Sequence, residues 1–230
     1  STPYVEDTLR RMRYEGMKII RMSPMEENII GYMGADAIIK FYKDEGEWRD
    51  WNGKEKRVIN FTQSLKGRRV FCHYDSIMQI INGFPALVYG SGNTDLAGLD
   101  GGELTYEAMK GALRDNRVFV YAGTWPSPYT LAVQEAMMSG IPIVAIGQKL
   151  AEDIVPEADK IHYYEMTNII KNTENGFISD DIGELRGYIH QLLTDEALAK
   201  RIGAEGRKTA IDLWGKQYIK EQWEKFFKEL

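Results

Sequence analysis

The sequence predicts an α/β fold built on a mainly parallel sheet, preceded by a shorter α/β segment. Three observations predict it. Short β-branched runs alternate with longer stretches of helical period. Residues 42–56, YKDEGEWRDWNGKEK, are polar, charged and aromatic without a clear period, and divide the chain into unequal parts. The composition, 43% apolar and 27% charged over 230 residues, is that of a globular protein with a well-buried core.

In the first part, Thr2 and Pro3 cap and open a helix that ends near Gly16, and MKIIRM then reads as a strand. Ser23 and Pro24 followed by Glu26 have the pattern of a capping box and start a helix to about Gly34; ADAIIKF is the next strand. Residues 42–56 are the candidate interdomain linker.

From Arg57 the rhythm restarts with strand RVINF, the loop TQSLKGRR, a helix to about Asn82, strand PALVYG and the loop SGNTDLAGLDGG. A helix from Glu103 to Asp115, strand RVFVYAG, a helix within residues 125–140, strand IPIVAIG and a short strand IHYYE follow. Three helical segments end the chain. Ile182, Leu185, Ile189 and Leu192 share one face of the first; Ile219, Trp223, Phe226 and Phe227 share one face of the last. That last face reads as cover for a domain junction. A membrane-facing amphipathic helix is the minor alternative, against which Glu221, Glu224 and Glu229 argue.

Several classes of function are disfavoured. A net charge of -5 supplies no general basic field for nucleic acid or an anionic membrane. Cys72 is the only cysteine, which excludes an internal disulfide and a thiolate metal cluster and fits a reducing compartment, so a cytoplasmic protein is expected. No stretch is long and apolar enough to span a membrane. His73, His162 and His190 are scattered, with no carboxylate or second histidine at ligand spacing, so no metal is expected. GSGN at residues 90–93 lacks the third glycine and the following helix of a dinucleotide fingerprint, so no nicotinamide cofactor is expected either.

The stretch WPSPYTLAVQEAMMSG, residues 125–140, carries one glutamate in an apolar run. Ser127 is an N-cap with Pro128 at the first helical position, or Thr130 caps a helix that starts one turn later; Gly140 ends it. A helix that follows a parallel strand starts at the carboxyl edge of the sheet, where open α/β sheets bind ligands, and its first amides and dipole favour a phosphate. Glu135 lies among Leu131, Ala132, Val133, Ala136, Met137 and Met138. A carboxylate in such company needs a partner, which a ligand hydroxyl would be; the bland alternative is a solvated stripe. Lys66, Arg68 and Arg69 form a basic cluster that is either a second anion site or a solvated face.

PSPYTLAVQEAMMSGIPIVAIG resembles the donor-site segment of retaining glycosyltransferases of GT-B architecture, in the large sucrose synthase-like family. NGFISDDIGELRGYIHQLLTDEALAKRIGAEGRK resembles a later segment of the same family, and INFTQSLKG followed by PALVYGSGN resembles its first two second-domain strands with the Lys-Gly of the donor loop. The resemblance covers residues 57–230 in order. It implies a GT-B fold, with a Rossmann-like donor domain at 57–212, a partial N-terminal, acceptor-side α/β segment and linker at 1–56, and a crossover helix at 213–230. It also implies transfer of a sugar, of hexosyl type, from a nucleotide diphosphate donor to an acceptor, a sugar or a lipid-linked one, with retention and without a metal.

The same resemblance implies the site residues. Glu135 matches the second glutamate of a Glu-x7-Glu pair, which holds the ribose hydroxyls, and Lys66 matches the lysine that neutralises the diphosphate. The amides around Thr130 and Leu131 match those that cradle the distal phosphate. Two positions depart from the pattern. Ser127 stands where the first glutamate of the pair belongs, and the family's arginine before the lysine is missing, with Arg68 or Arg69 as substitutes. A nucleotide-binding module without turnover is therefore the alternative. No histidine precedes His73 to match the one the family often uses near the donor sugar, and residues 1–56 are short for a domain of at least ~100 residues, so an incomplete enzyme is expected.

Overall fold

A computed structural model describes residues 3–48, 51–153 and 162–230. Six parallel strands form one sheet in the order β5-β4-β3-β6-β7-β8: β3 Glu55–Phe61, β4 Ala86–Tyr89, β5 Asp100–Gly102, β6 Asn116–Tyr121, β7 Ile143–Ile146 and β8 Phe177–Ser179. Successive strand side chains point to opposite faces, yet Val58 and Ile59, and Val118, Phe119 and Val120, are all fully buried. Both faces of the sheet are therefore covered, the condition under which all-parallel sheets form. The cover comes from α2 Tyr74–Ile81, α3 Tyr106–Asp115, α4 Leu131–Ser139, α7 Ile182–Thr194 and α8 Glu196–Trp214. Helix α7 packs on β3, β6, β7 and α2, while α4 packs on α3 and α8. Short helices α5 Gln148–Glu152 and α6 Met166–Ile169 lie between β7 and β8, and α9 Lys216–Lys228 ends the chain.

The first part of the chain adds α1 Pro3–Tyr14 and a two-stranded parallel sheet of β1 Ile20–Arg21 and β2 Ala37–Ile38. Arg21, 4% exposed, donates from both terminal nitrogens to Glu6, at 2.9 and 2.7 Å, and to Glu26 at 3.3 Å. The capping box of Ser23 and Glu26 is present. It starts a 3-10 turn, Pro24–Asn28, where a helix to Gly34 is expected, because Ile29 is extended and Gly31 and Gly34 take left-handed φ of 79° and 90°. Thr2, the expected cap of α1, lies outside the described residues.

Other elements differ from expectation. β3 begins at Glu55, two residues before Arg57. The glycine loop after β4 ends in a strand, β5. Helix α3 begins behind the Thr105 cap, whose hydroxyl accepts from the Ala108 amide, rather than at Glu103. IHYYE contains no strand among its described residues 162–165, because β8 occupies the place beside β7 through the pairs Val144–Phe177 and Ala145–Ile178. Ile161 lies outside the described residues, as do Arg49 and Asp50 of the expected linker. The rest of that stretch is packed. Trp48 is 2% exposed, Asp44 caps a 3-10 turn at Glu45–Glu47, and the Lys43 amide donates to the Trp214 carbonyl at 2.8 Å.

Candidate functional site

Strands β3, β4 and β6 end side by side at Phe61, Tyr89 and Tyr121, so the loops that follow them share one sheet edge. Asn93, 1% exposed, ties two of these loops together. Its Oδ1 accepts from the Leu65 amide at 2.8 Å, and its Nδ2 donates to the carbonyls of Thr62 at 2.7 Å and Gly90 at 3.0 Å. Gly90 makes this approach feasible: its φ is 134°, and a Cβ there would lie 2.7 Å from the Thr62 oxygen. Both donors of the Asn93 amide and one lone pair of its oxygen are thus spent on fixing the edge.

Above the edge lies a cleft of about 260 Å³, lined by Phe61, Tyr89, Gly90, Ser91, Ala132 and Glu135 among others. A smaller hollow of about 140 Å³ adjoins it, with Arg68, Tyr121, Gly123 and Thr130 in its wall; Phe61, Thr62, Gln63 and Ala132 border both. Glu135 projects from α4, a helix buried over Val133 to Ser139. It is itself 8% exposed, and its Oε1 accepts from the Lys43 ammonium at 2.5 Å. Its Oε2 has no hydrogen-bond partner among the described residues. A half-satisfied carboxylate at the wall of a cleft is an acceptor for ligand hydroxyls.

The start of α4 adjoins both hollows. Thr130 is its N-cap, so Ser127 is not, and the helix starts at Leu131; the turn through residues 125–129 delays it. The Thr130 hydroxyl makes no capping bond, and its amide donates to the Tyr121 hydroxyl at 2.9 Å. Tyr121 is buried and stacked on Tyr164, with ring centroids 6.4 Å apart. Burial pushes its hydroxyl up to about 12, so it stays protonated at neutral pH. The amides of the first turn of α4 have no intrahelical acceptor by position.

The expected site residues are divided by this geometry. Glu135 lines the larger cleft; Arg68 and Thr130 line the smaller one. Ser127 is half-buried and lines neither. The Leu131 side chain is exposed, as is Lys66, whose ammonium lies 3.6 Å from Asp95. Sequence reasoning missed Lys43, Asn93 and Tyr121. Among the described residues no group of three or more His, Cys, Asp or Glu side chains is placed to hold a metal ion.

No family model matches the chain, and no curated protein matches it. Solved structures do. The chain has the α/β fold of the GT-B glycosyltransferases, with their Rossmann-like parallel sheet. A mutant of S. aureus TarM in complex with UDP and other ligands aligns at a TM-score of 0.68 and 18% identity, over 91% of this chain and 43% of that one. Sucrose-phosphate synthase from Thermosynechococcus elongatus aligns at 0.67 and 16%, over 91% of this chain and 57% of that one. Anabaena HepE in complex with UDP-glucose aligns at 0.60 and 15%, over 84% of this chain and 57% of that one. The chain thus spans about half the length of the solved structures it matches.

Proposed function

We propose that the chain binds a nucleotide-diphosphate sugar at this edge and serves a retaining glycosyltransferase of hexosyl type, which passes the sugar to a sugar or lipid-linked acceptor. The observation that carries the reading is Glu135: a buried carboxylate at the cleft wall, with one oxygen paired and the other free. Vicinal ribose hydroxyls are donors that match it. Lys66 and Arg68 stand on the loop after β3 to neutralise the diphosphate. The first-turn amides and dipole of α4 meet the distal phosphate. This assignment falls on Leu131 and the residues after it, because the Thr130 amide is held by Tyr121. With two cations and a helix terminus at hand, the proposal needs no metal and no cofactor.

The likeness of fold to structures that hold UDP or UDP-glucose supports a nucleotide sugar as partner. In this reading residues 57–212 form the donor domain, 1–56 the end of an acceptor-side domain with its linker, and 213–230 the crossover helix of a cytoplasmic enzyme. One observation favours a second reading, a nucleotide-sugar binding module without turnover. Ser127 supplies a hydroxyl where the resemblance calls for a carboxylate on the donor sugar.

Calorimetric titration with UDP, GDP and ADP tests the site. One of them binds, and Glu135→Ala weakens it by roughly 2 to 4 kcal/mol, the loss of two charge-assisted hydrogen bonds less their replacement by water. Unchanged affinity would mean that Glu135 is not a nucleotide ligand. Donor hydrolysis or transfer by the same preparation separates the enzyme from the binding module.

A further inference from the structure

We infer that Lys43 is a positioning residue of the nucleotide site: it aims the Glu135 carboxylate, so that a residue from the first part of the chain sets the affinity for ribose hydroxyls. The inference rests on the reading of Glu135 as the ribose ligand and adds a partner that neither the sequence nor the resemblance assigns.

The geometry is specific. Lys43 and Glu135 stand 92 residues apart in sequence, and their side chains are 15% and 10% exposed. Carboxylate oxygens this far from water need hydrogen-bond donors. The Lys43 ammonium is the one hydrogen-bond donor that Glu135 has among the described residues. Because it takes Oε1, the carboxylate cannot rotate freely, and Oε2 is left for the cleft. A bond formed before the ligand arrives reduces what must be ordered when it binds.

The lysine is itself held at its backbone. Its amide donates to the Trp214 carbonyl at 2.8 Å, and residue 43 forms a parallel bridge with Gly215. This turn between α8 and α9 is tight: a Cβ on Gly215 would lie 2.4 Å from the Ile211 oxygen. The crossing of the chain between its first part and its C-terminal helix therefore ends in the ammonium that touches Glu135. A displacement of that crossing moves the donor away from the carboxylate, which links the relative placement of the two parts to the nucleotide site.

The experiment compares ribose with its deoxygenated form. Dissociation constants for UDP, GDP and ADP and their 2′,3′-dideoxy counterparts are measured by calorimetry on the wild-type chain and on Glu135→Gln, Lys43→Met and Lys43→Arg. The wild type prefers the ribose form of the diphosphate it binds. Glu135→Gln loses that preference. Lys43→Met reduces it about tenfold, the size of one charge-assisted hydrogen bond, with little change for the dideoxy compound. Lys43→Arg restores part of it. If Lys43→Met does not fold, Lys43→Gln, which keeps only a weaker, neutral donor, reduces the preference in the same direction by a smaller factor. Undiminished preference in the lysine variants, or an equal loss for both sugars, overturns the proposal while leaving Glu135 as ligand. A wild type that binds none of the three, or shows no preference, overturns the ribose reading and this inference with it.

Discussion

Around Arg21 the interior of residues 3–48 is ionic, whereas around Phe119 the interior of the six-stranded sheet is apolar. Glu6, Arg21 and Glu26 are 0%, 4% and 8% exposed, and two strands of two residues each give them little apolar cover. Phe119 sits instead among Val58, Ile59, Val118 and Val120, all at 0%, with helices above and below. The contrast is one of what holds each part in register. Apolar burial is non-directional and scales with area, so the sheet tolerates change wherever volume is kept. A bidentate guanidinium is directional: it fixes α1, β1 and the Ser23 turn relative to one another, at the cost of two desolvated carboxylates. Contact between the two parts is polar through Lys43 to Glu135, Lys40 to Glu165, and the Tyr129 hydroxyl to the Met22 carbonyl at 2.9 Å, and apolar at Trp48, which joins the core of the sheet.

The largest expected effect tests that contrast at Arg21. Arg21→Met leaves Glu6 buried without its guanidinium and costs about 3 to 5 kcal/mol in urea unfolding. Adding Glu6→Met removes the buried charge and returns part of the loss, since Glu26 keeps the amides of Met22 at 2.8 Å and Ser23 at 3.2 Å, while the Met33 amide loses the Glu6 oxygen it donates to at 3.1 Å. A single substitution that costs under about 1 kcal/mol would show that the ionic centre does not hold this part together.

A somewhat smaller effect sharpens the comparison from the other side, because the sheet region has a buried titrating group of its own. His73, 4% exposed and ahead of α2, has a buried Nδ1 without a hydrogen-bond partner among the described residues, and burial lowers the imidazole from 6.5 to about 4. Between those values the unfolded chain binds a proton that the native chain does not, so stability rises with pH there. The contribution is fully present above pH 6.5 and is lost as pH falls toward 4, by about 3 kcal/mol at most. His73 holds φ of 55°, a conformation Asn adopts readily. His73→Asn should therefore fold and remove this part of the pH dependence. Identical urea midpoints against pH in the two proteins would assign the acid lability elsewhere.

What the sequence disclosed follows the same division. Strands β3, β4, β6 and β7 are legible because buried parallel strands read as continuous β-branched runs, as in RVINF and IPIVAIG. Strands β5 and β8 are three residues each, and Asp100, Gly101 and Gly102 have no strand propensity; tertiary pairing with Tyr89 and Val88 makes them. Tyr163 and Tyr164 suggest a strand by their aromatic rings, but those rings are buried in packing, Tyr164 against Tyr121. At the site, Glu135 is legible as a lone carboxylate in an apolar helix. Lys43 is not, since it lies in a polar stretch with no period, and its meaning depends on a contact with a residue 92 positions away in sequence.

The smallest effect on stability is expected at Lys66, and it separates a functional cation from a structural one. Arg21 is buried and Lys43 half-buried against carboxylates; Lys66 is 47% exposed and pairs with an equally open Asp95 at 3.6 Å. Exposed pairs contribute between about 0 and 1 kcal/mol, so Lys66→Ala leaves the melting temperature within about 4 °C of wild type. Its ammonium stands on the loop that Asn93 fixes at the sheet edge, two residues before Arg68. In the proposed function a cation there serves a phosphate rather than the fold. Lys66→Ala should therefore weaken a nucleoside diphosphate about tenfold, one charge-assisted contact, and leave the bare nucleoside unaffected. Equal weakening of both would place Lys66 outside the diphosphate site and move its role to the conformation of the loop.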